Sequence, residues 1–193
     1  MITEKTFSFP AELKGISSET MAEHLKLYTG YVKHANLALA HNEELSKDAE
    51  KYAYELGELS RRFSFEYNGI KNHEYYFEQL EHGPTTITAG GILESKIKKQ
   101  WGSFDHWLAA FKILAKTRGI GWAVLYFDAE RDLLMNVWVD EQHLGHLNSC
   151  QFIFGIDMWE HSYVKDYLPS GKVSYIEDYL AQVNWNVVEK RIM

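Results

Sequence analysis

The sequence predicts an α+β fold, with an N-terminal helical hairpin followed by a unit in which helices surround a small antiparallel β-sheet. Three observations predict it. Up to Pro84 the apolar residues recur at spacings of three and four, the period of amphipathic helices. Three apolar runs then open at Gly121, Leu133 and Phe152, rich in the β-branched and aromatic residues of strands. Between the two regimes lies TTITAGG, Thr85 to Gly91, which reads as a linker. Two domains are therefore expected, over residues 1–86 and 87–193.

The elements follow in order. The first segment opens at Ser17-Ser18-Glu19-Thr20, where a serine before an acidic first turn is an N-cap signal, and the helical pattern runs from Met21 to about Leu45. His24, Leu27, Tyr31, Ala35 and Ala38 fall on one face of it. A second helical stretch is expected from about Asp48 to Arg62, and a third from near Asn72, with His73, Tyr76, Phe77 and Leu80 on one face. The third stops at His82-Gly83-Pro84, because proline cannot continue a helix. Residues from about Leu93 to Thr117 predict two helices broken at Trp101-Gly102-Ser103, with Ser103 as a cap and Gly119 as a terminator. The short polar turn Ala129–Asp132 joins the first two strands, GWAVLYFD and LLMNVWVD, into an antiparallel hairpin, and FIFGIDMW supplies a third. Helices from about Val173 to Gln182 and from Trp185 to Ile192 close the chain.

Composition narrows the function. A net charge of −7 argues against nonspecific nucleic-acid binding. No run of ~18 apolar residues predicts a membrane span, and the opening MITEKTFSFP has no apolar signal core, so a cytoplasmic location is expected. The single cysteine, Cys150, cannot form an internal disulfide and reads as a small core residue. Aromatic residues make up 15% of the chain, which fits either a bulky core or a dry site walled by rings.

The chemistry concentrates in a few residues. Asp157-Met158-Trp159-Glu160-His161 places a carboxylate at the end of an apolar strand and an imidazole four residues later. A buried carboxylate is costly unless it pairs or binds a metal. An Asp–His hydrogen bond capping the next segment would account for the pentapeptide alone. His24 and His73, each on the apolar face of a predicted helix, make a second account possible. Three imidazoles and one carboxylate suit iron, manganese or zinc, whereas structural zinc sites more often use cysteine.

The segments ETMAEHLKLYTGYVKHAN, FEYNGIKNHEYYF, GIGWAVLYFD, GIDMWEHSYVKDY and VNWNVVEKR, in this order, resemble the landmarks of manganese/iron superoxide dismutases, from about Phe9 to Arg191. The resemblance implies a metal held by His24, His73, Asp157 and His161, with the site between the two domains. It implies one manganese or iron ion per subunit, cycling between +2 and +3 while superoxide is converted to dioxygen and hydrogen peroxide. Tyr31 is similar to the family's gateway tyrosine and a proton donor, and Trp122 and Trp159 to its aromatic walls. The family tunes its metal through a glutamine near the ion. With Gly69 on the helix and Gln142 in the loop after the second strand, the chain resembles the manganese-type pattern, and His143 is the alternative for that loop position. Glu160 is similar to the residue that crosses a homodimer interface to the partner's ligand histidine. Lys172 lies near the family's cation beside the substrate funnel.

The chain departs from the family at the gateway. His24 and Tyr31 are seven residues apart, one fewer than usual. Tyr28 stands where a second histidine is usual, and Val164 where that histidine's tyrosine partner across the dimer is usual. These losses leave one alternative, a non-catalytic metal-binding homologue of the same fold. A dioxygen-using iron enzyme is a further class, but such sites carry two histidines and one carboxylate, and the third histidine argues against it.

Overall fold

The structure, a computed structural model, describes residues 1–192. Its N-terminal part is a hairpin of two long helices, α1 (Ser18–Leu45) and α2 (Ala53–Glu78). The Ser17 side chain accepts a hydrogen bond from the Thr20 N–H, as an N-cap does. The predicted break before Asn72 is absent, and α2 runs unbroken through Gly69. Glycine is a poor helix former, but here it lets the Tyr31 ring lie against the helix: a Cβ at Gly69 would come within 2.5 Å of Tyr31 Cδ1. The buried face of α1 also differs from expectation. His24, Tyr28, Val32, Ala35 and Ala38 are buried, whereas Leu27 is 40% exposed.

After the linker come α3 (Ile92–Trp101) and α4 (Phe104–Ala115), parted at Gly102. Ser103 caps α4 by accepting from the His106 N–H. The linker is tied down: Thr88 donates through its hydroxyl to Glu189 at 2.6 Å, and Thr85 N–H to the Val183 carbonyl at 3.1 Å.

The sheet has three antiparallel strands in the order β2-β1-β3, with β1 Gly121–Asp128, β2 Leu133–Asp140 and β3 Gln151–Asp157. The central β1 is buried at all eight positions. The registers matter for the site, because Trp122 pairs with Asp157 on β3 and with Val139 on β2. Helices α5 (Lys172–Ala181) and α6 (Trp185–Glu189) complete the fold. Trp107 and Phe111 of α4 pack with Phe154 and Trp185, while Trp122 lies against His73 and Tyr76 of α2, so the sheet joins the two halves. The observed architecture is α+β, as expected.

Candidate metal centre

Four side chains from three elements and one turn converge where α1, α2 and the end of β3 meet. The α1 face presents His24 and the α2 face His73. Strand β3 ends on Asp157, and the short turn Glu160–Ser162 brings His161 back towards it. The Asp157 backbone carbonyl accepts from Ser162 Oγ and from the Tyr175 hydroxyl, both at 3.0 Å. Its Oδ1 accepts from the Trp159 N–H at 2.8 Å. Oδ2 is thereby turned to the histidines, with Nε2 of His24 at 3.1 Å, of His161 at 3.2 Å and of His73 at 3.7 Å. One donor atom from each of the four residues lies within 4.8 Å of the other three.

The protonation states suit a cation. His24, His73 and Asp157 are fully buried. Burial pushes His73 down to about 3 and also lowers His24, which favours the neutral imidazole in both. Burial also opposes ionisation of Asp157, but the neighbouring His161 and His24 outweigh it and hold the carboxyl well below the usual range. Neutral imidazoles and an ionised carboxylate are the forms that bind metals. His73 Nδ1 lies 2.6 Å from the Gly69 carbonyl and donates to it, which leaves Nε2 as a bare lone pair. That Nε2 is buried and has no hydrogen-bond partner among the described residues. First-row ions take nitrogen and oxygen donors at roughly 2.0–2.2 Å, so a carboxylate oxygen 3.1–3.7 Å from three imidazole nitrogens can share one ion with them, and the residues fit it.

Gln142 lies next to this cluster. Its Nε2 donates to the Tyr31 hydroxyl at 3.0 Å, and its Oε1 accepts from Trp122 Nε1 at 2.9 Å. The rings of Tyr31 and Trp122 flank His73, with centroids 5.1 and 5.2 Å away. Burial, with the Asp157 charge added, raises the Tyr31 hydroxyl well above its ordinary range. His143, the alternative to Gln142, turns aside and packs on Phe65 with centroids 5.6 Å apart.

Residues 89–191 match the C-terminal domain of iron/manganese superoxide dismutases. The iron superoxide dismutase of Pyrobaculum aerophilum is 30% identical, over the whole of this chain and 94% of its own length. This chain belongs to the iron/manganese superoxide dismutase family. The Mn/Fe enzyme of Aeropyrum pernix is 34% identical over 88% of this chain and 78% of its own length. The manganese enzyme of Mycolicibacterium fortuitum is 31% identical over 87% and 80%.

Within this family frame the structure distributes the remaining candidates unevenly. Trp159 stacks on His161 with centroids 5.8 Å apart and donates through Nε1 to the Glu141 carbonyl at 3.2 Å. Tyr28 does not reach the four-residue cluster with its hydroxyl. That group accepts from the Lys5 N–H at 2.9 Å and lies 3.3 Å from Glu74 on α2. Glu160 is exposed, and its carboxylate has no ion pair among the described residues. An open cleft reaches Tyr31, Trp159 and His161, with Lys26, His34 and Arg62 on its walls. Lys172 is away from that cleft: its Nζ donates to the Thr117 carbonyl at 2.7 Å and sits 5.6 Å over the Trp138 ring. The supporting bonds from Asn72 and Tyr175 were not legible in the sequence, because each joins segments that only the tertiary fold brings together, and the Ser162 bond depends on the turn that follows β3.

Proposed function

We propose that the chain dismutes superoxide to dioxygen and hydrogen peroxide, with one manganese or iron ion per subunit held by His24, His73, Asp157 and His161. When bound, the ion supplies one-electron chemistry by alternating between +2 and +3. The observation that carries this reading is the convergence of four donors on one point, with the buried Nε2 of His73 otherwise unpartnered.

The protein's own part is to set charge, hold protons and limit access. Asp157 contributes the one negative charge of the donor set and so favours the higher oxidation state. Tyr31 keeps its proton, and because its oxygen accepts from Gln142, that proton remains available for transfer to a reduced product. Trp122, Trp159 and Tyr31 wall the site with rings and keep bulk water from it. Gly69 together with Gln142 supports manganese over iron. An exposed, unpaired Glu160 beside His161 supports a homodimer in which it reaches the partner's ligand. A division near residue 86 agrees with a C-terminal family match that begins at residue 89. The described helices include none long and apolar enough to cross a membrane, and a chain with one cysteine suits the cytoplasm.

Superoxide dismutation by protein loaded separately with manganese and with iron, with bound metal quantified, tests the proposal. Activity in at least one form is expected, higher with manganese. Full occupancy with no activity in either form would overturn it.

A further inference from the structure

Gln142 lies in a turn, yet its backbone is held as firmly as its side chain. Its carbonyl oxygen accepts from Asn72 Nδ2 at 3.0 Å and from His146 Nε2 at 2.9 Å. The second ring nitrogen of His146, Nδ1, is bonded to the Tyr126 hydroxyl. Tyr126 is buried on the central strand β1, so the far end of this chain of bonds is fixed in the core. The geometry permits one tautomer. Nε2 faces a carbonyl, which only accepts, so Nε2 carries the proton and Nδ1 accepts from Tyr126. Burial lowers the His146 pKa and so agrees with a neutral ring.

We infer that Tyr126 and His146 are positioning residues that hold the Gln142 carbonyl, so that its side-chain amide stays between Tyr31 Oη and Trp122 Nε1. The inference rests on the dismutase reading for its functional consequence, but the placement itself can be tested without metal. The two residues touch none of the four metal-binding candidates. They act at one remove, through the turn that carries Gln142. The ends of the turn are closed by Asp140 N–H to the Leu144 carbonyl at 2.8 Å and Leu144 N–H to the Asp140 carbonyl at 3.1 Å, and Glu141 is held by Trp159 Nε1 and the Ile120 carbonyl, both at 3.2 Å; between these anchors the Gln142 carbonyl is held by Asn72 and His146. Glu141 itself sits at φ 50°, a region that favours glycine, so the bonds around the turn hold a costly backbone conformation beside Gln142.

The test compares wild type with His146→Leu, His146→Gln, Tyr126→Phe and Gln142→Leu. The first readout is solvent exchange of the Trp122 indole N–H by NMR in the metal-free full chain, with the signal assigned by its loss in Trp122→Phe. The second is the midpoint potential of the bound ion in loaded protein, with metal content and dismutation rate measured alongside. Loss of one net hydrogen bond predicts indole exchange about fivefold faster in His146→Leu, and a smaller increase in Tyr126→Phe. The potential of His146→Leu should move in the same direction as that of Gln142→Leu, and dismutation should fall about 10- to 100-fold with metal content unchanged. His146→Gln, whose amide can donate to the same carbonyl, should return the exchange rate and the potential towards wild type. Wild-type exchange and wild-type potential in His146→Leu would overturn the inference, as would a loss that His146→Gln does not restore. If His146→Leu fails to fold, Tyr126→Phe decides on the same readouts. A wild type that binds metal without dismuting superoxide would overturn the dismutase reading instead, and the exchange rates would still decide the placement of Gln142.

Discussion

At Gly69 one absent methyl group holds two functions together. Glycine inside a helix costs about 1 kcal/mol relative to alanine, so helix propensity alone would favour Gly69→Ala. A Cβ there would meet three atoms of the Tyr31 ring at 2.8 Å or less. Overpacking of that kind costs about 1–3 kcal/mol, and the ring can yield only by drawing its hydroxyl away from Gln142. Gly69→Ala is therefore expected to be less stable in urea and slower in dismutation. A variant more stable than wild type with full activity would show that the ring contact is unimportant. The same scale sets the acid response. His73 binds its proton only near pH 3 when folded, against roughly 6.5 when unfolded. The metal-free chain should therefore keep this contribution to stability above about pH 6.5 and lose it as the pH falls towards 3. Urea midpoints across that range should drop steadily, and less steeply in His73→Gln.

The elements show what periodicity can and cannot deliver. The start of α1 was legible because a serine ahead of an acidic turn is a local signal; the structure places the cap at Ser17, and Ser17→Ala should cost ~1 kcal/mol, read as a lower urea midpoint with an unchanged slope. The Asp166 carboxylate reinforces that helix start, accepting from the Ser17 N–H at 2.9 Å and from Thr20 Oγ1 at 2.6 Å. The strands were legible from their apolar runs, and the convergence of His24, His73, Asp157 and His161 from the Asp157–His161 spacing together with the family resemblance. The buried face of α1 was only partly legible. A period near 3.6 allows the apolar stripe to be drawn through Leu27 or through Tyr28, and the choice is made by what packs there: Phe7 and Phe77 cover Tyr28, with centroids 5.8 and 6.1 Å away. The continuity of α2 was illegible for a related reason. The gap expected between Arg62 and Asn72 spans Gly69, whose place in the helix is accounted for by its contact with Tyr31 on α1. His146 and Tyr126 carried no signal in a single sequence, because their bond links a loop to the central strand and no motif marks it.

At the scale of the whole molecule, a chain of net charge −7 must draw in an anion. The cleft walls carry two cations, Lys26 and Arg62, which bias it locally towards anions although each is paired with a glutamate, Glu23 and Glu66. Arg62 lies 3.8 Å over the Phe65 ring and is ion-paired with Glu66 at 2.9 Å, which holds it at the entrance. Dismutation is expected to slow as ionic strength rises, because added salt screens exposed charges beyond ~10 Å at 0.1 M. Arg62→Gln should lower the rate at low salt and flatten that dependence, while Lys172→Gln, away from the cleft, should do neither. A salt-independent wild-type rate would remove the steering argument. The central claim is that residues from both halves of the chain act as one ligand set. The most direct test is bound manganese or iron per chain, measured by elemental analysis after loading and exhaustive dialysis, in wild type, His24→Ala, His73→Ala, Asp157→Asn and His161→Ala. One ion per wild-type chain is predicted, with a marked loss in all four variants. Retention of a full complement by any of the four would contradict the account.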